Sequence, residues 1–80
     1  MPAADTQTIE QLVTESLEKF GAEPDAITRE ATFEELNIDS LDLAELSQIV
    51  ESEFGVELTS SDVAGVKTVG DAIELIVSRA

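Results

Sequence analysis

Apolar residues return every three or four positions in three separate stretches of this chain, and that spacing commits each stretch to an amphipathic helix. Ile9, Leu12, Val13, Leu17 and Phe20 share one face, predicting a first helix that starts between Asp5 and Thr8 and ends at Phe20. Thr8 and Gln11 have capping-box spacing, with Asp5 as the alternative cap. Gly21 suits the position just past the end, and Pro24 discourages a restart. Leu43, Leu46, Ile49, Val50 and Phe54 predict a second helix from Ser40 to Phe54. Asp39 is its expected N-cap, Asp42 follows three residues on, and Gly55 ends it. Val69, Ala72, Ile73, Ile76 and Val77 predict a last helix from Val69 to Arg79, capped by Thr68 with Asp71. Gly70 falls in its first turn, where a glycine costs little.

Between the second and last helices, Thr59-Ser60-Ser61-Asp62 reads as the cap of a short helix ending near Gly65. Residues 21–38 form a long connection, anchored by Ile27, Phe33, Leu36 and Ile38, with one helical turn at Thr32-Phe33-Glu34-Glu35. Val56-Glu57-Leu58 alternates, but three residues cannot form a sheet alone. The expected fold is therefore all-α: a small bundle of three main helices plus one short helix, with a long loop between the first two. The three aromatic residues are all Phe, so the core must be aliphatic.

Composition removes several kinds of chemistry. The chain has no cysteine and no histidine. Thiolate nucleophiles, Ser-His and Cys-His pairs and ordinary zinc sites are thereby excluded. Eighteen Asp and Glu face four Lys and Arg, a net charge of −14. Affinity for nucleic acid or anionic membrane comes largely from Lys and Arg, so neither is an expected partner. Disorder is not expected, because hydrophobic residues make up 42% of the chain,. No apolar run is long enough for a membrane span. The start, Met1-Pro2-Ala3-Ala4-Asp5, lacks the basic and apolar regions of an export signal, which makes the cytoplasm the default expectation. An EF-hand reading fails: Leu41 and Leu43 occupy the alternate positions after Asp39, and Ala44 replaces the central Gly. No specific metal site is expected.

The stretch that can carry chemistry is Leu36-Asn37-Ile38-Asp39-Ser40-Leu41-Asp42, where the long loop meets the second helix. A serine there stands beside the positive end of the helix dipole, which favours an anion such as a phosphodiester on its hydroxyl. On local sequence alone, capping is the commoner role for such a serine. It has no built-in activation, so it suits modification by another enzyme better than independent nucleophilic catalysis.

With its neighbours, this stretch resembles the acyl carrier proteins of the dissociated kind used in fatty acid and polyketide synthesis. The 36–42 segment is similar to the family's phosphopantetheine attachment motif. Glu45-Leu46, Glu51, Glu53-Phe54-Gly55-Val56 and Thr68-Val69-Gly70-Asp71-Ala72-Ile73 match later family signatures, in order and at matching spacings. The resemblance covers nearly all of residues 5–79 and implies one carrier domain over residues 1–80. It also implies 4'-phosphopantetheine on Ser40, donated by coenzyme A through a phosphopantetheinyl transferase. Acyl intermediates would then be held as thioesters and delivered to partner enzymes, the chain being a carrier rather than an enzyme. The implied docking residues are Asp39, Leu41, Asp42, Ala44, Glu45 and Glu51. The implied partners are a ketosynthase, an acyltransferase and other basic-surfaced synthase enzymes, with the free protein a monomer.

Two positions depart from the pattern of fatty acid carriers. Gln48 stands where an apolar residue often helps docking, and Ser52 where an acid is frequent. They leave open a dedicated polyketide or other specialised pathway. A peptidyl or aminoacyl carrier would use the same arm, but its motif has glycines where this chain has Asn37-Ile38-Asp39. An acidic protein-interaction module without a prosthetic group is the alternative of a different class.

Overall fold

Asp5, not Thr8, opens the first helix: its carboxylate accepts the Thr8 N–H at 2.8 Å. The computed structural model describes residues 5–80; the reading of the first four residues as lacking an export signal lies outside them. Helix α1 covers Thr6–Lys19 and buries Ile9, Val13 and Leu17 completely. Pro24, expected only to block a restart, instead opens a short 3-10 turn over Pro24–Ala26. That position suits proline, since its missing N–H is one that a helical first turn leaves unpaired. Helix α2 spans Ser40–Phe54, α3 spans Ser60–Ala64 and α4 spans Val69–Arg79. Each of these three is opened by a reciprocal capping box: Asp39 with Asp42, Thr59 with Asp62, and Thr68 with Asp71. Gly55 ends α2 in the left-handed region, at φ 70°, which glycine adopts without a Cβ penalty,.

Helix α1 packs mainly on α4, and α2 bridges α1 and α3. Leu46 and Val50 of α2, and Val69, Ala72, Ile73 and Ile76 of α4, close one aliphatic core with α1. Of the expected core positions, Leu12, Phe20, Leu43 and Phe54 pack against this core half-buried, and two lie outside it. Val77 is 38% exposed, because it falls at the edge of the buried stripe near the end of α4. Ile49 is only half-buried, on the flank of α2. Among the described residues there is no strand, only an isolated antiparallel bridge between Thr32 and Thr68. No helix among them is long and apolar enough to cross a membrane.

The long loop is bonded to the start of α4. The first N–H groups of a helix lack intrahelical partners. Here Val69 N–H donates to the Ala31 carbonyl at 3.0 Å and Gly70 N–H to the Arg29 carbonyl at 2.9 Å. Gly70 is therefore more than a cheap first-turn residue. A Cβ there would meet the Arg29 oxygen at 3.0 Å, so its absence lets the loop approach the helix,. Phe33 N–H donates to the Lys67 carbonyl at 3.1 Å, and the buried Phe33, Leu36 and Ile38 side chains anchor the same loop to the core.

Candidate functional site

The loop delivers the chain to Ser40 in a fixed direction. Thr32 and Glu35 bond reciprocally, Thr32 N–H to the Glu35 carboxylate at 2.9 Å and Glu35 N–H to the Thr32 hydroxyl at 3.0 Å. The Thr32 N–H and then its hydroxyl hold the Glu35 carboxyl below its ordinary range,. This is the expected helical turn, closed by Leu36 N–H on the Thr32 carbonyl and Ile38 N–H on the Phe33 carbonyl. Asn37 leaves it with φ 59°, a left-handed conformation that Asn tolerates better than most residues,. The chain thereby buries Ile38 and turns Asp39 outward at the start of α2.

Asp39 accepts the Asp42 N–H at 2.9 Å, and the Asp42 carboxylate accepts the Asp39 N–H at 3.4 Å. The cap is thus supplied by Asp39 and Asp42, and the commoner local reading of Ser40 as a capping residue does not hold. Ser40 is the first residue of α2, exposed, with its hydroxyl beside the positive end of the helix,.

A groove of about 530 Å³ begins at Ser40 and runs between α2 and α3. One wall is a single helical stripe: Ser40, Leu43, Ala44, Ser47, Gln48 and Glu51. At the rise of an α-helix it extends about 16 Å from the serine. The facing wall comes from Leu58 and from α3, chiefly Val63 and Ala64, with Val66 at the base. Behind it, toward the core, lies a much smaller apolar cavity of about 20 Å³ against Leu46, Ala72 and Ile76. Neither Lys19 nor Lys67 lines the groove, so no ammonium stands ready to activate Ser40 from within it.

The residues expected to meet partners divide by position. Asp39, Leu41 and Asp42 flank Ser40 directly. Leu41 is the most exposed large apolar residue among those described, at 78%. Glu45 follows on the same outward stripe as Leu41 and is exposed. Ala44 and Glu51 instead belong to the groove wall, Glu51 three turns from Ser40. Asp42 is half-buried and committed to the cap. Sequence reasoning missed the groove itself. Its α2 wall was legible, since Leu43, Ala44, Ser47 and Glu51 step from Ser40 by helical intervals. The α3 wall was not, because no local pattern says where a five-residue helix will pack. Among the described residues, no three Asp or Glu side chains converge to hold a metal ion.

Ser40 thus combines an exposed hydroxyl, the positive end of a helix and the mouth of a groove,. The family described as the phosphopantetheine attachment site matches residues 7–76. Among solved structures, the acyl carrier protein of Enterococcus faecalis is 29% identical, with a TM-score of 0.81 over 96% of this chain and 100% of that one. The Thermotoga maritima acyl carrier protein is 27% identical, at TM-score 0.75 over 91% of this chain and 86% of that one. The acetyl actinorhodin acyl carrier protein of Streptomyces coelicolor is 25% identical, at TM-score 0.72 over 95% of this chain and 90% of that one. With the attachment family matching most of its length and these folds superposing on nearly all of it, the chain belongs to the acyl carrier proteins, whose prosthetic group is 4'-phosphopantetheine.

Proposed function

We propose that Ser40 bears the 4'-phosphopantetheine arm and that this chain carries acyl intermediates for fatty acid or polyketide synthesis, as a carrier without catalysis of its own. The observation that carries the reading is the placement of Ser40: exposed, first in α2, relieved of capping by Asp39, and at the mouth of the groove. When attached, the arm supplies the thiol that a cysteine-free chain lacks. The residues around it hold the attachment point rigid, favour negative charge there and leave the hydroxyl open to a transferase. Gln48 and Ser52, which lighten the apolar and acidic character of α2, leave a dedicated polyketide or other specialised pathway open beside fatty acid synthesis.

The test is incubation with coenzyme A and a phosphopantetheinyl transferase, read by intact mass. Wild type should gain one arm. Ser40→Ala should gain none while keeping its helical content, since the Asp39 cap is untouched. Loading of that variant, for instance at Ser47 or Ser61, would overturn the assignment. The same assay tests the docking face. Asp42 is a poor probe because its loss also removes half of the cap. Glu45→Lys makes no such confusion, and it should slow loading by a basic-surfaced transferase several-fold at low salt. An unchanged rate would mean that Glu45 is simply solvated.

A further inference from the structure

The groove that starts at Ser40 and the inner apolar cavity share five lining residues: Leu43, Ser47, Leu58, Val63 and Val66. These form the throat through which any chain folding back from Ser40 would pass into the bundle. Ser47 is the polar one among them. It is half-buried, and its hydroxyl donates to the Leu43 carbonyl at 3.1 Å. With its proton given to the backbone, the Ser47 oxygen keeps lone pairs free to accept.

Two physical consequences follow. The inner cavity, about 20 Å³, is the size of a water molecule, so an alkyl chain could enter only by displacing Leu46 and Ile76 from a filled core,. A chain held at the throat instead lies against a hydroxyl, with Gln48, Glu51 and Thr59 along the outer groove. A saturated chain strips water from these groups and gives nothing back, whereas a chain bearing its own hydroxyl can replace it.

We infer that Ser47 is a specificity-determining residue, and that the cargo this carrier retains best is a hydroxyl-bearing acyl group seated at the throat between α2 and α3. The inference rests on the carrier reading and names the class of cargo for it.

The experiment uses the protein loaded on Ser40 with octanoyl, 3-hydroxyoctanoyl or 5-hydroxyoctanoyl pantetheine arms. The rate of thioester cleavage by hydroxylamine is measured against the same thioesters on free pantetheine. In wild type, at least one hydroxylated chain should be cleaved roughly three- to tenfold more slowly than octanoyl, the worth of one hydrogen bond. Ser47→Ala should erase that difference, and Ser47→Val should reverse it in favour of octanoyl. Thermal melts of each variant establish that it is folded. If Ser47→Val does not fold, Ser47→Ala, which removes a single heavy atom, decides alone. Equal protection of all three chains in wild type, or a ranking that the variants leave unchanged, would overturn the inference. Absence of any arm on Ser40 by intact mass would overturn the carrier reading beneath it, an outcome distinct from a loaded protein that does not discriminate.

Discussion

Asn37 shows how a single backbone angle can position the proposed attachment serine three places away. Its φ of 59° directs Ile38 into the core and leaves Asp39 free to cap α2. A β-branched residue in that conformation places its side chain against its own backbone, at a cost of about 1–2 kcal/mol. Asn37→Val should therefore lower the melting temperature by several degrees, at about 4–8 °C per kcal/mol for a domain of this size. Asn37→Gly should stay within about 0.5 kcal/mol of wild type, because glycine adopts the same angle freely. Equal melting temperatures for the two variants would show that this angle is not held in solution. The sequence signals that a turn precedes Asp39 but not its handedness, because Asn is equally at home in ordinary turns.

At the scale of elements, the weakest partner is α3, whose five residues cannot be stable alone,. Packing on α2 and an ion pair hold it in place. Arg79, at the end of α4, grips Asp62 with two hydrogen bonds of 2.6 and 2.8 Å. That grip, followed by the Thr59 N–H and hydroxyl of the capping box, depresses the Asp62 carboxyl from 3.8 to about 2. A carboxyl whose folded value lies below its unfolded one stabilises the fold fully above the unfolded value, and loses that contribution as pH falls through the folded one. Asp62→Asn keeps an oxygen for the cap but gives up the charge. Wild type should therefore melt above Asp62→Asn at neutral pH, and the gap should close between about pH 4 and about pH 2. A gap that is constant with pH would show that the pair is not formed. Helix limits and capping boxes were legible because they depend on neighbours three or four residues away. The Asp62–Arg79 pair, the loop carbonyls that serve α4 and the α3 wall of the groove were not. Each joins residues distant in sequence whose local patterns have other uses: Asp62 already reads as half of a cap, and Gly70 as a tolerated glycine.

For the molecule as a whole, charge sets two requirements that salt should move in opposite directions. A net charge of −14 is confined to a body of 33 × 25 × 19 Å. Only two ion pairs are formed among the described residues, Arg29 with Glu10 and Arg79 with Asp62. At about 0.01 M salt the screening length is ~30 Å, comparable to the longest dimension, so nearly every carboxylate repels every other. At about 0.15 M it is ~8 Å, and repulsion across the molecule is largely lost. Screening also weakens the two ion pairs, but these are few and partly exposed, and such pairs contribute little. Repulsion therefore wins, and the melting temperature should rise with sodium chloride over this range. The same screening weakens the attraction between the acidic start of α2 and a basic transferase, so the loading rate of Ser40 should fall over the same range. Measured on one preparation, the two trends should cross: greater stability with slower loading. A melting temperature that falls with salt would show that the ion pairs outweigh self-repulsion. A loading rate indifferent to salt would show that the acidic face does not steer the encounter, and that recognition rests on Leu41 and the shape of the helix start.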